Sequence, residues 1–116
     1  MPDHFATIRA ATRPYRVFFG DELLLETDQV LELEEHFKDR TFPAVPYFAP
    51  EATRGLVLQT TDQESTCPLK GQATYSSFRD AENAVWSYRN PNPAVEAIRD
   101  HVGFDTNRGF RVERVD

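Results

Sequence analysis

The chain has one cysteine, so no intrachain disulfide can form, and a metal centre built on several thiolates is excluded. Its three histidines, His4, His36 and His101, lie far apart and form no ligand pair, so neither a metal nor a cofactor is expected. Apolar runs are all short. None approaches the roughly 20 residues a helix needs to cross a bilayer, and Met1-Pro2-Asp3-His4 lacks a basic stretch followed by an apolar one. These absences predict a cytoplasmic protein without membrane contact. Basic residues are also in deficit, 13 against 19 acidic, for a net charge of −6. That balance disfavours general attraction to polyanions, and no nucleic-acid partner is expected. There is no Gly-rich phosphate loop, nucleophile elbow or paired His-Glu motif, and no internal repeat.

What is present suffices for one core. The 116 residues predict a single domain, and hydrophobic residues make up 40%, with nine phenylalanines among them. Residues 1–12 read as an N-terminal extension and 13–116 as the β-rich domain. Charge is unevenly spread. The stretch from Asp21 to Asp39 is acidic, while Arg9, Arg13 and Arg16, and later Arg108, Arg111 and Arg114, are basic. Solvated strand faces paired across a sheet account for this most simply, and a basic groove for an anionic ligand is the alternative.

Eight prolines cut the chain into short pieces, which favours strands over a helical bundle. Tyr15, Val17 and Phe19 alternate as a strand does, and Gly20-Asp21 makes a hairpin turn into Glu22–Glu26. Val30–Phe37 is ambiguous. Leu31 and Leu33 alternate with Glu32 and Glu34, whereas Val30, Leu33 and Phe37 have helical spacing; strand is preferred for the first half. Gln72–Phe78 and Val85–Tyr88 read as a hairpin with Arg79–Asn83 as its loop. One helix is expected late: Asn92 as cap, Pro93 at the first position, Val95, Ile98 and Val102 on one side, and Gly103 as the stop. Phe110–Val115 closes the chain as a strand.

The stretch Cys67-Pro68-Leu69-Lys70-Gly71 carries the chemistry. Pro68 restricts Cys67 to extended geometry, and Gly71 can take a positive φ, so a tight turn is predicted. Successive amides in such a turn make an anion-binding concavity, with Lys70 adding a charge beside it. Cys67 would be a nucleophile if Lys70 or His101 lowered its pKa, and otherwise an inert buried thiol. Trp86 could stack on a flat ligand, with Tyr75 and Tyr88 on the same side and Asn83 offering amide recognition. The same residues could simply pack a core.

Thr66-Cys67-Pro68-Leu69-Lys70-Gly71-Gln72-Ala73-Thr74-Tyr75, then Glu82-Asn83-Ala84-Val85-Trp86-Ser87-Tyr88, then Pro93 through His101-Val102-Gly103-Phe104, resemble the domain of unknown function 427 family. Its pattern is approximately T-x-C-P-x-K-G-x-A-x-Y, A-W-x-Y-P-x-P and H-V-A-F-Y. Arg16–Glu22 and Val45–Pro50 resemble its earlier strands. The resemblance implies a small, mainly β domain with a twisted, tent-like or barrel-like antiparallel sheet and one or two short helices. Many proteins of that architecture hold zinc on four cysteines, which this chain lacks. A nucleotidyltransferase-like label sometimes given to the family would call for paired acidic metal ligands, and none is evident. The positions carried over are Cys67, Pro68, Lys70, Gly71, Tyr75, Asn83, Trp86, Tyr88 and His101. Gly103 and Asp105 depart from the pattern, which has Ala and Tyr there.

Three functions therefore compete. The first is binding of a small anionic, nucleotide-like ligand by Lys70, Gly71, Tyr75, Asn83, Trp86 and Tyr88. The second is an enzyme with Cys67 as nucleophile and His101 assisting. The third is an interaction module, including a homo-oligomer formed through an exposed strand edge.

Overall fold

The computed structural model describes residues 3–116 as a mainly β protein of two antiparallel sheets. The larger contains β1 (His4–Ala10), β4 (Val30–Phe37), β5 (Arg40–Thr41), β6 (Val45–Phe48), β7 (Gln59–Cys67), β8 (Gly71–Phe78), β9 (Ala81–Pro91) and β10 (Val102–Phe104). Its order is β1-β4-β6-β10-β9-β8-β7, with β5 pairing β4. The smaller has the order β11-β2-β3, from β2 (Tyr15–Phe19), β3 (Glu22–Thr27) and β11 (Phe110–Arg114). Both sheets stay open and do not close into a barrel. The helices are α1 (Pro50–Thr53) and a 3₁₀ helix, Pro93–Ile98. Among the described residues no helix is long and apolar enough to cross a membrane.

The two faces of the larger sheet bury different clusters. One packs on the smaller sheet, bringing Tyr15, Val17 and Phe110 against Phe48, Phe78, Val85 and Phe104. The other gathers Leu33, Tyr47, Ala73 and Tyr88 under Val95 and Ile98 of the 3₁₀ helix. β4 serves both, and this resolves its ambiguous pattern. It lies between β1 and β6, with Val30 in the first cluster and Leu33 in the second, so apolar residues on opposite faces mimic helical spacing.

Four segments differ from the sequence reading. The stretch 1–12, set apart as an extension, supplies β1, which pairs with β4 from His4↔Phe37 to Ala10↔Leu31. The β8–β9 loop is only Arg79-Asp80, and Asn83 sits inside β9 with φ 54°, beside an irregularity in the ladder. β7, whose QTTDQESTC sequence has no apolar alternation, was not anticipated; it is an exposed edge strand.

The late helix is the largest correction. It stops at Ile98, the chain reverses at Asp100 with φ 60°, and Val102 opens β10, paired with both Phe48 and Ser87. Strand pairing at the middle of the sheet outweighs a weak helical pattern. Asn92 makes no cap. Its side-chain amide donates instead to the carbonyls of Pro68 at 3.0 Å and Leu69 at 3.1 Å. Gly103 is no helix stop either, because a Cβ there would lie 2.4 Å from the Trp86 ring. Glycine is required there so that the indole can lie across the backbone.

Candidate functional site

Antiparallel pairing places Tyr75 of β8 directly opposite Trp86 of β9. Tyr88 follows two residues along, and β6 contributes Val45 and Tyr47 from the far side of β10. The turn before β8 carries Lys70 back toward the same surface. These five side chains, with Lys70, Asn83 and Asp105, line an open groove of about 380 Å³.

Aromatic contacts hold the walls. Tyr47 is 1% exposed and meets Trp86 edge-on, with centroids 6.3 Å apart, while the indole Nε1 donates to its hydroxyl at 3.4 Å. Tyr88 lies 6.4 Å from Tyr47 at a tilt and is nearly buried. Burial raises its pKa well above the ordinary tyrosine value, and the neighbouring Tyr47, Cys67, Tyr75 and Glu35 push the same way. The Tyr75 hydroxyl is within 2.7 Å of Ser65 Oγ. Tyr88 is therefore a neutral wall across the physiological range.

The charged end is modest. Lys70 Nζ lies 5.7 Å from the Tyr88 ring centroid and 3.9 Å from Glu35 Oε1, which makes a loose ion pair. Glu35 is shared, since its other oxygen accepts from His4 Nε2 at 2.7 Å. At the opposite end Asn83 donates its backbone N–H to Ser77 Oγ, and its side-chain oxygen accepts from Thr61. Asp105 accepts from the backbone N–H of Asn107 at 2.9 Å.

Of the residues singled out from sequence, Lys70, Tyr75, Asn83, Trp86 and Tyr88 thus meet in one groove. Gly71 does not line it. With φ 106° it closes the turn, and a Cβ there would meet Asn90 and Asn92 atoms at 3.3 Å. The turn does not offer the expected amide concavity as its main feature. Asn92 draws in its carbonyls: the side chain takes those of Pro68 and Leu69, and the backbone N–H takes that of Lys70.

Cys67 and His101 are not brought together. Cys67 ends β7, half-buried, whereas His101 precedes β10, and β8 and β9 lie between. With two whole strands between them, and Cys67 level with Pro91 while Val102 is level with Ser87, no thiol–imidazole hydrogen bond joins them. His101 Nδ1 donates to the Arg99 carbonyl at 2.9 Å, and its own carbonyl accepts from Ser87 Oγ. Among the described residues no group of three or more His, Cys, Asp or Glu could hold a metal ion.

Val45, Tyr47 and Asp105 were not singled out as site residues. For Tyr47 a signal existed, because it lies in the unbroken apolar run Val45–Phe48, the pattern of a strand covered on both faces. For Asp105 there was none beyond its departure from the family pattern. Both departures, Gly103 and Asp105, border Trp86: one underlies the indole and the other lines the groove. A second cleft of about 390 Å³, between Leu23, Val57 and Arg79, contains none of these residues. A family model described as a domain of unknown function (DUF427) matches residues 7–116. No curated protein matches the chain.

Proposed function

The chain belongs to this domain-of-unknown-function family (DUF427), and from its groove we propose that it binds a small planar ligand carrying one acidic group, of the nucleoside monophosphate kind. The observation that carries this reading is the convergence of Trp86, Tyr75 and Tyr88 with Lys70 on one concave surface. A flat ring stacks against the aromatic walls, and the acidic group displaces Glu35 from Lys70. The lysine is suited to that exchange because its existing ion pair is long, at 3.9 Å. Asn83 and Asp105, at the other end, present amide and carboxylate groups to the edge of the ring.

Trp86 is the only tryptophan, so its fluorescence reports directly on the groove. Titration with adenosine monophosphate and with adenosine is expected to quench it, the monophosphate at lower concentration. Lys70→Ala should weaken the monophosphate by about tenfold and leave adenosine unchanged. If neither compound alters the emission or the melting temperature at millimolar concentration, the proposal fails. Equal loss of both compounds in Lys70→Ala would remove the anionic part of it.

A further inference from the structure

The two free edges of the larger sheet are built differently. β7 is blunted: its pairing with β8 slips between Thr60 and Glu64, and Asp62 and Glu64 put charge on it. β1 pairs with β4 without interruption from His4 to Ala10 and has no proline or acidic residue. Its flanks fix which backbone groups are free. The Asp3 carbonyl accepts from Lys38 N–H and Ala11 N–H donates to the Val30 carbonyl, so odd-numbered residues turn their polar groups to β4. The N–H and C=O groups of His4, Ala6, Ile8 and Ala10 therefore point out of the sheet. Among the described residues no backbone hydrogen bond leaves that outer edge; the 3₁₀ helix approaches β1 through Val95 and Ile98, which pack with the Ala6 and Ile8 side chains. Phe5, 37% exposed, lies at the start of this edge strand, and Phe37 of β4, 41% exposed, stands opposite His4.

We propose that β1 pairs antiparallel with β1 of a second copy of this chain about a two-fold axis at Thr7, joining two larger sheets into one. The strand is self-complementary in this register. Ala6 faces the partner's Ile8 and His4 faces the partner's Ala10, and each such pair exchanges two backbone hydrogen bonds from the outward-pointing groups. Thr7 faces the partner's Thr7, and Phe5 faces the partner's Arg9, at the close-approach positions where side chains touch. No two like charges stand opposite one another. Arg9 is bound through Nε to Glu32 at 2.9 Å, yet its side chain is 59% exposed, leaving the guanidinium face open to a phenyl ring. A second copy fits better than an arbitrary peptide because the sequence supplies its own cross-strand partners in one register, with the symmetry of an isologous contact.

Analytical ultracentrifugation of the full chain tests this, with circular dichroism confirming that each variant is folded. The wild type is expected to pass reversibly from monomer to dimer across the micromolar range. Thr7→Lys and Thr7→Glu each place two like charges face to face on the axis, and each should be monomeric where the wild type is dimeric. An equimolar mixture of the two should recover the dimer, now as a salt-sensitive heterodimer. A wild-type chain that sediments as a monomer throughout overturns the proposal, as do variants that dimerise as well as the wild type. A folded mixture that stays monomeric overturns the register at Thr7.

Discussion

Replacing Gly103 with alanine is the sharpest probe of how the groove is built. A Cβ at this position lies 2.4 Å from Trp86 Cε2 and Cζ2 and 2.9 Å from Nε1, closer than real contacts allow. The obstacle is a ring fixed by its own strand and by Tyr47, so it cannot yield by a simple rotamer change. Overpacking of this kind costs about 1–3 kcal/mol, which for a chain of this length lowers Tm by about 3–15 °C. The indole is already half-buried against this backbone, and pushing it off its seat exposes more of it, so its emission should shift to longer wavelength. Differential scanning calorimetry and tryptophan fluorescence read the two effects separately. Gly55→Ala is the control, because nothing lies within 4 Å of its Cβ and its φ is not positive; it should leave Tm unchanged or slightly raised. If Gly103→Ala matches Gly55→Ala in both readouts, the indole does not rest on that glycine.

The buried pair Tyr15–Glu32 should give the stability profile two limbs. Hydrogen bonding from Tyr15 and then from Arg9 holds the Glu32 carboxyl below its ordinary value of 4.5 against the effect of burial. That stabilisation is present above pH 4.5 and lost as pH falls through the lowered native value, so Glu32→Gln should flatten the acid limb of a Tm-against-pH curve. Tyr15 is pushed up from 10.0 to about 12, chiefly by burial and then by its bond to Glu32. Its contribution, about 2–3 kcal/mol, is present below pH 10 and lost as pH rises toward 12, and Tyr15→Phe should reduce that alkaline loss; an unchanged limb refutes the assignment. Asn92→Ala removes two donors to the Pro68–Leu69 turn and should cost about 1–2 kcal/mol, with faster amide exchange confined to the turn and its neighbours. Phe48→Ala empties a fully buried site between the sheets and should cost about 3–5 kcal/mol in urea unfolding; a loss below 1 kcal/mol would contradict its burial.

How much of this was legible depended on how local each cause was. The hairpin of β2 and β3 and the turn at Gly71 follow from alternation and from residues that tolerate particular φ values, and both could be read directly. β7 was invisible because an exposed edge strand needs no apolar face. The late helix was misjudged because Val102 and Gly103 serve neighbours distant in sequence, Phe48 and Trp86, which no local window contains. The same holds for the site. Lys70, Tyr75, Asn83, Trp86 and Tyr88 lie within about twenty residues on one hairpin and could be grouped from spacing, whereas Tyr47 arrives from β6, paired through β10, and Asp105 from just past the end of β10.

By itself the sequence determined a single mainly β domain, its thiol-poor chemistry and the hairpin that carries most of the groove, because those rest on composition and on neighbours along the chain. Only the tertiary structure decided that Cys67 and His101 stand apart, that the Asn92 side chain pins a turn and leaves the helix end uncapped by it, and that Gly103 underlies the indole. Strand order sets those distances, and strand order is fixed by which long-range pairings bury both faces of the central strands.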